Sequence, residues 1–210
     1  MNKTHILFFL FVVFALNSFS QSTTDAQNVL DNVSAKVKSA KGITATFALT
    51  QYDKSNQIIG SSKGIVKIKD NKYYVKQDKT EIFSNGTQTW NYDGSTEVTV
   101  SKADNSDQDE LSPQQVLSGF NKNDFTDKLV SSAGTSYEIS LTPVDKRKNF
   151  KQVILYINKS TSLISKAKIT DKPGNVIQLS FSAINLNAVI PDSQFVFDTT
   201  KHPAVEVVNQ

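Results

Sequence analysis

The sequence contains no cysteine, and beyond its first twenty residues it has a single histidine, His202. The absence of cysteine excludes disulfides, thiol nucleophiles and thiolate zinc sites, and it leaves no cysteine to carry an N-terminal lipid anchor. No stretch matches a nucleophile elbow, a zinc-protease helix or a phosphate-binding loop. We therefore expect no metal, no cofactor and no covalent catalysis.

Acidic residues are the catalytic candidates that remain, and the sequence has 20 of them. The stretch from Ala103 to Glu110 lacks the spacing of a calcium-binding loop, which favours a solvated loop over a metal site. The other acids fall in predicted turns or at solvent-facing strand positions, whereas catalytic carboxylates need burial or charged partners. An enzyme with a carboxylate pair is the alternative, but the pattern favours a protein that is not an enzyme.

Long apolar runs are absent apart from one near the N-terminus. Residues 6–16 are almost entirely apolar, Lys3 precedes them, and Ser18 and Ser20 provide the small residues of a cleavage site. This pattern predicts a secretory signal peptide over residues 1–20, whereas an uncleaved anchor would need a longer run. Residues 21–210 are then expected to form one exported domain in an extracytoplasmic space.

A strong charge of one sign is missing as well. The formal net charge is +3, and the lysines are spread along the chain rather than clustered. This balance argues against binding to nucleic acid.

The sequence does contain a clear β-strand pattern, and the stretch around Asn85-Gly86 shows it. This dipeptide predicts a β-hairpin with a type I′ turn, because both central residues of that turn need positive φ. After the turn, Trp90 and Tyr92 point to one face of a strand. The next alternating run places Val98 and Val100 on one face too. We predict an antiparallel meander with one aromatic and aliphatic face.

The same alternation recurs along most of the chain and predicts about eleven strands joined by tight turns. Two helices interrupt it. Apolar residues at helical spacing predict the first over Asp25–Lys38. A capping box, Ser112-Pro113-Gln114-Gln115, predicts a shorter second helix over Pro113–Phe120.

An antiparallel sheet with one apolar face must cover that face, and the two amphipathic helices are its predicted cover. Helices and sheet could pack into a dry core, or they could enclose a cavity for an apolar ligand. Dry cores are the commoner outcome, so the pattern alone favours a core over a cavity.

The order of the motifs resembles the periplasmic outer-membrane lipoprotein carrier family, which is called LolA-like. The resemblance spans nearly the whole chain after the signal peptide. It lies in the order of an export signal, an amphipathic helix, the strand with Phe47, the strand with Gly64, Ser84-Asn85-Gly86, Trp90-x-Tyr92, Leu141-Thr142-Pro143, Phe195-x-Phe197 and a Val-rich tail.

This resemblance implies a mainly β fold, an incomplete antiparallel β-barrel of about eleven strands whose hydrophobic cavity lies under a lid of short helices. It implies a periplasmic chaperone that takes the acyl chains of lipoproteins from an inner-membrane ABC transporter and carries them to the outer membrane. An outer-membrane acceptor is a further expected partner, and the chain is expected to be a monomer.

The implied site consists of a cavity wall from the sheet and a lid from the helices. The expected cavity residues are Phe47, Leu49, Val66, Ile68, Tyr73, Val75, Trp90, Tyr92, Val98 and Val100. The expected lid residues are Leu30, Val33, Val37, Val116, Leu117 and Phe120.

One position departs from the family pattern. The best-known members have an Arg that latches the lid through backbone carbonyls, and the corresponding position in this sequence is Asp70, with Lys69 beside it. Aspartate has no donor to offer, and lysine lacks the planar fork of arginine. We expect apolar contacts to hold this lid instead.

Two other functions stay open from the sequence. One is a non-enzymatic lipid or lipoprotein sensor of an envelope stress pathway, built on the same half-barrel. The other is a structural β-sandwich with a dry core.

Overall fold

A computed structural model describes residues 25–103, 111, 113–120 and 123–210. The predicted signal peptide, nearly all of the acidic stretch at 103–110 and Ser112 of the capping box lie outside these ranges. Within them, no helix is both long and apolar enough to cross a membrane.

Twelve strands form a single sheet, and its two ends do not pair with each other in the described part of the chain. The predicted mainly β, open-sheet fold is therefore confirmed. The sheet order is β12-β6-β5-β4-β3-β2-β1-β11-β10-β9-β8-β7. The strands are β1 (Ile43–Tyr52), β2 (Ile58–Lys69), β3 (Lys72–Gln77), β4 (Thr80–Ser84), β5 (Gln88–Tyr92), β6 (Glu97–Lys102), β7 (Phe125–Ser131), β8 (Ser136–Pro143), β9 (Phe150–Asn158), β10 (Leu163–Asp171), β11 (Val176–Asn185) and β12 (Glu206–Asn209).

Ten of the eleven pairings are antiparallel. Nine of them join consecutive strands through short connections, and the tenth joins β1 to β11. The exception is β12, which runs parallel to β6 at one edge of the sheet. This strand comes from the Val-rich tail, which the sequence pattern did not identify as a strand.

Two α-helices cover one face of the sheet. α1 (Ala26–Lys38) begins after Asp25, whose carboxylate accepts a hydrogen bond from the Gln27 backbone N–H at 3.3 Å. α2 (Pro113–Ser118) ends before Gly119, whose φ of 89° stops a helix, so it is shorter than predicted. α1 lies over β7 and β10, while α2 lies over β2, β3 and β10 and touches α1. We call the face under the helices the concave face and the other the convex face.

The C-terminal segment covers part of the convex face. It contains two short 3₁₀ helices, Asp192–Phe195 and Thr199–Lys201, followed by β12. Phe195 and Phe197, the pair of the Phe195-x-Phe197 motif, lie here and are buried.

The predicted type I′ turn at Asn85-Gly86 is wrong. The connection has three residues, and of the dipeptide only Gly86 has a positive φ, 89°. The Asn85 side-chain oxygen accepts hydrogen bonds from the Thr87 and Gln88 backbone N–H groups, at 2.9 and 2.8 Å. An asparagine side chain that satisfies the turn in this way removes the need for a second left-handed residue.

Candidate functional site

An apolar cluster fills the space between the helices and the concave face, and we call it the concave cluster. It draws buried side chains from both helices and from strands on both sides of β1. Its buried members include Val29, Val33, Ala45, Phe47, Val66, Val75, Val116, Leu117, Ile139, Leu141, Val153, Leu155, Ala167 and Leu179.

Six of the ten expected cavity residues lie in this cluster or against it. The register explains why, since Ala45 pairs with Val66 and Val66 with Val75, and paired residues share a face. The six are Phe47, Leu49, Val66, Ile68, Tyr73 and Val75.

All six expected lid residues also pack into the cluster or against it. Val33, Val116 and Leu117 are buried members, and Leu30, Val37 and Phe120 are partly exposed neighbours. The helices therefore cover the concave face through apolar side chains.

The other four expected cavity residues, Trp90, Tyr92, Val98 and Val100, lie on the convex face, so the prediction that all ten share one face is wrong. Tyr74 pairs with Phe83 and Phe83 with Trp90, so these rings share a face. Tyr74 follows Tyr73 directly in β3, and neighbouring residues of a strand point to opposite faces.

These convex residues pack under the C-terminal segment. The Tyr92 and Phe197 ring centroids are 5.2 Å apart, and the His202 ring stacks on Phe197 at 4.8 Å. Trp90 packs against the same buried group. The aromatic stripe that the sequence predicts for a cavity therefore holds the C-terminal segment.

Further along the sheet, the concave face of β4 and β5 becomes more polar, although Ile82 of β4 still packs against the concave cluster. Ser84 is 1% exposed and Thr89 is 7% exposed, and the Thr89 hydroxyl donates to the Ser84 hydroxyl at 3.4 Å. Within the described ranges, no group of three or more His, Cys, Asp or Glu side chains is placed to hold a metal ion. The apolar part of the site therefore lies over β1–β3, Ile82 of β4 and β7–β11.

A cleft of about 290 Å³ opens at the edge of the lid, between α1 and the strands β7 and β8. Leu30, Phe120, Phe125 and Leu141 form its apolar part. Its remaining residues are the polar or charged Gln27, Asp31, Ser34, Lys38 and Asp127. An apolar wall within a polar mouth suits a ligand with an apolar chain and a polar end.

Aromatic rings form the floor of this cleft at the sheet edge. The Phe120 and Phe125 rings are perpendicular, with centroids 5.3 Å apart, and Phe125 stacks on Phe150 at 6.2 Å. Phe125 and Leu141 were not among the expected cavity residues, although alternation in β7 and β8 points to them.

The position that replaces the family Arg gives no sign of a polar latch. Asp70 is an exposed residue of the β2–β3 turn with a φ of 55°. The Lys69 ammonium lies on the convex face, where it donates to Asp192 at 2.8 Å and to the Ile190 carbonyl at 3.3 Å. Hydrogen bonds from Lys69 and Lys72 lower the pKa of Asp192 to about 2.

The geometry defines a class of protein, namely an open antiparallel sheet whose apolar concave face is covered by short helices. Residues 38–198 match the family model described as Outer membrane lipoprotein carrier protein LolA. The match covers most of the chain, and the protein belongs to this family.

Curated relatives carry the same name. An outer-membrane lipoprotein carrier protein from Nitrosospira multiformis is 26% identical over 194 residues, covering 89% of this chain and 92% of the relative. Another, from Francisella tularensis subsp. novicida, is 25% identical over 224 residues, covering 99% of this chain and 98% of the relative.

Solved structures share the fold. An uncharacterized conserved protein from Thermus thermophilus superposes with a TM-score of 0.58 at 14% identity, over 88% of this chain and 99% of its own. The structure of MucB gives a TM-score of 0.53 at 15% identity, over 87% of this chain and 65% of MucB. At these identities, the likeness concerns the fold alone.

Proposed function

We propose that this protein is a periplasmic carrier that binds the acyl chains of lipoproteins between α1, α2 and the concave face. It takes them from the inner to the outer membrane. The observation that carries this proposal is the concave cluster under two short helices, with the cleft of about 290 Å³ at its edge. Membership of the lipoprotein carrier family supports it.

The physical need for such a carrier follows from the cost of exposing lipid to water. One acyl chain of roughly sixteen carbons costs on the order of 12 kcal/mol to hold in water, at about 0.8 kcal/mol for each methylene. Lipoproteins therefore need a covered apolar surface to cross an aqueous space.

The partners follow from the same reasoning. The sequence has no nucleotide-binding loop, so the energy to extract a lipoprotein comes from another machine, which we propose is an inner-membrane ABC transporter. The concave face then holds acyl chains more weakly than a bilayer does, so that an outer-membrane acceptor or the membrane itself can receive them. We propose that the carrier acts as a monomer.

Binding of a fluorescent fatty-acyl probe tests the proposal. The protein from Gln21 onward is expected to bind the probe stoichiometrically, and unlabelled acyl chains are expected to compete. Leu30→Ser, in the cleft, is expected to weaken binding about tenfold, because burial of a leucine is worth roughly 1.5–3 kcal/mol. Val130→Ser, on the exposed side of β7, is the matched control and is expected to bind like the parent.

Two results would contradict the proposal. One is the absence of a saturable signal from the parent. The other is equal binding by the Leu30 and Val130 variants, which would place the probe elsewhere. The likeness to MucB shows a shared fold, and a sensing role gains no separate support from it.

A further inference from the structure

One end of the sheet carries exposed aliphatic side chains beside a group of basic residues. At this end of the sheet, short connections join β1 to β2, β8 to β9 and β10 to β11. Ile58 and Ile59, in the first of these hairpins, are 66% and 63% exposed. Val144, in the second, is 58% exposed. Consecutive exposed isoleucines are unusual, because neighbouring residues of a strand normally face opposite sides of a sheet.

A β-bulge explains the exposure of both isoleucines. Tyr52 pairs with Ile58, and Gln51 pairs with Gly60, so Ile59 is an extra residue in β2. A bulge bends its strand and redirects side chains. The Asp53 carboxylate then fixes the tip by accepting hydrogen bonds from two backbone N–H groups, both at 2.8 Å. The backbone conformation of this hairpin therefore keeps both isoleucine side chains exposed to solvent.

Basic residues join the three connections into a continuous rim. The Lys172 backbone N–H donates to the Asn149 carbonyl at 3.1 Å, and its ammonium donates to the Arg147 carbonyl at 3.4 Å. A side chain added at Gly174 would touch both Lys54 and Lys151. The basic residues of this rim are Lys54, Lys146, Arg147, Lys148, Lys151 and Lys172.

The same connections contain fewer acidic residues, and the carboxylates of these residues bind donor groups within their own turns. They are Asp53, described above, Asp145 and Asp171. Asp145 pairs with Arg147 at 2.7 Å, and Asp171 accepts hydrogen bonds from the backbone N–H groups of Gly174 and Asn175, both at 2.7 Å. With six basic and three acidic residues, the rim is positive although the whole chain is nearly balanced.

We propose that this docking rim, formed by residues 53–59, 144–151 and 171–174, binds the surface of an anionic phospholipid bilayer. Aliphatic tips that enter the boundary between headgroups and acyl chains, with lysines on the anionic headgroups, are the combination that holds a protein on such a surface. The rim lies beside the cleft, because Phe150 at its edge stacks on Phe125 in the cleft. Docking therefore brings the mouth of the cleft close to the membrane.

This inference goes beyond carriage, since binding at the rim does not require an acyl chain in the cleft. The test is co-flotation of the protein from Gln21 onward with vesicles of phosphatidylethanolamine and phosphatidylglycerol. We expect binding to these vesicles, little binding to pure phosphatidylcholine, and release in about 1 M salt, where the screening length falls to ~3 Å.

Two variants with matched controls locate the surface. Lys54→Glu/Lys151→Glu is expected to lower the partition coefficient at least about tenfold, because each surface lysine contributes about fivefold on an anionic membrane. Lys41→Glu/Lys102→Glu changes the net charge equally at the opposite end of the sheet and is expected to have a much smaller effect. Ile58→Ser/Ile59→Ser is expected to lower binding about tenfold, whereas Val189→Ser, at an exposed site away from the rim, is expected to leave it unchanged.

All the substituted side chains are exposed, so the variants are expected to fold, which circular dichroism checks. Parent protein that stays with the unbound fraction on anionic vesicles overturns the proposal. So does an equal loss of binding in each variant and its control. Acyl-probe binding by the rim variants is expected to match the parent, so a failure here is distinct from a failure of carriage.

Discussion

At the scale of single residues, Gly64 shows how closely the concave face is packed. It pairs with Phe47 across β1 and β2, and a Cβ atom built on Gly64 would collide with the Phe47 ring and with the Lys76 carbonyl oxygen. The ring thus occupies the space that a side chain would take. A backbone position of this kind accepts glycine alone.

We expect Gly64→Ala to destabilise the protein by about 3 kcal/mol, since the displaced groups are backbone and a buried ring. Gly60→Ala, on the same strand, is the control, because its Cβ would meet only the flexible end of Gln51. Urea unfolding of the two variants measures the difference. Equal stability would show that β2 can shift to accept the methyl group.

A substitution at Trp90 distinguishes the roles of the two faces of the sheet, because its ring lies on the convex face. It packs under the C-terminal segment, with part of its surface exposed. We expect Trp90→Ala to lower stability by roughly 2 kcal/mol, less than for a fully buried tryptophan. Acyl-probe affinity is expected to stay within about twofold of the parent, because the ring does not face the helices. Titration of the folded variant with the acyl probe measures this affinity. A large loss of affinity would show that Trp90 belongs to the binding site.

At the scale of elements, the lid is held by buried apolar side chains. Leu117 is 5% exposed, and it packs from α2 into the concave cluster. Apolar contacts are not directional, so they give way gradually as the helix lifts from the sheet.

We expect Leu117→Ser to speed release of a bound acyl probe about tenfold, because burial of a leucine is worth roughly 1.5–3 kcal/mol. Asp70→Ala is expected to leave the release rate unchanged, since Asp70 lies in an exposed turn. Stopped-flow displacement of the probe measures both rates. Faster release from the Asp70 variant alone would identify Asp70 as a latch.

The C-terminal segment depends on an ion pair as well as on aromatic packing. Asp192 accepts hydrogen bonds from Lys69 at 2.8 Å and from Lys72 at 2.7 Å, and its pKa falls to about 2. A pKa that is lower in the folded state adds stability above the ordinary value of 3.8, and this stability disappears as the pH falls towards 2.

We therefore expect the melting temperature of the parent to fall more steeply between about pH 4 and pH 2 than that of Asp192→Asn, which has no carboxylate to protonate. Thermal unfolding followed by Trp90 fluorescence is the measurement, because Trp90 packs beneath the same segment. Parallel curves for parent and variant would show that the ion pair adds nothing to the attachment.

At the scale of the whole molecule, the cleft beside α1 is smaller than the proposed cargo. An acyl chain of sixteen carbons fills roughly 500 Å³ if each methylene takes about the volume of a water molecule, ~30 Å³. The cleft has about 290 Å³. We expect loading to separate α1 from the sheet.

Spin labels can report this separation without background, because the chain has no cysteine. Labels at Asn28→Cys in α1 and Lys128→Cys in β7, both exposed, are expected to move apart by several ångström when a fatty acid binds. The pair Lys54→Cys/Ser160→Cys spans the length of the sheet and is expected to keep its distance. A fixed distance between α1 and β7 in the loaded protein would place the ligand outside the lid.

Most of this architecture can be predicted from the sequence, because the relevant signals are local. Alternation of period two identifies the strands, and apolar stripes at helical spacing identify α1 and α2. The assignment of Trp90 to a cavity failed for a physical reason. β3 and β4 have apolar residues on both faces, as Tyr73 and Tyr74 show, so alternation alone does not reveal which face meets the helices.

The contacts that decide which face meets the helices involve residues far apart along the chain. The convex aromatic residues are covered by Phe197, and the chain beyond it pairs in parallel with β6 as β12. Contacts between such distant segments have no local pattern. The edge cleft was missed for a related reason, since it depends on how β7 meets α1 and not on the periodicity of either.

In the part of the chain that the structure describes, the open sheet leaves two edges, β12 and β7, without a neighbouring strand. Free edges are templates on which the strand of another molecule can add, and that is the first step towards fibres and aggregates. β12 limits this by its length of four residues. β7 is longer and exposes Val130, but Lys128 places a charge in the middle of that edge. The charge of Lys128 thus opposes the addition of another strand at the edge where polymerisation would begin.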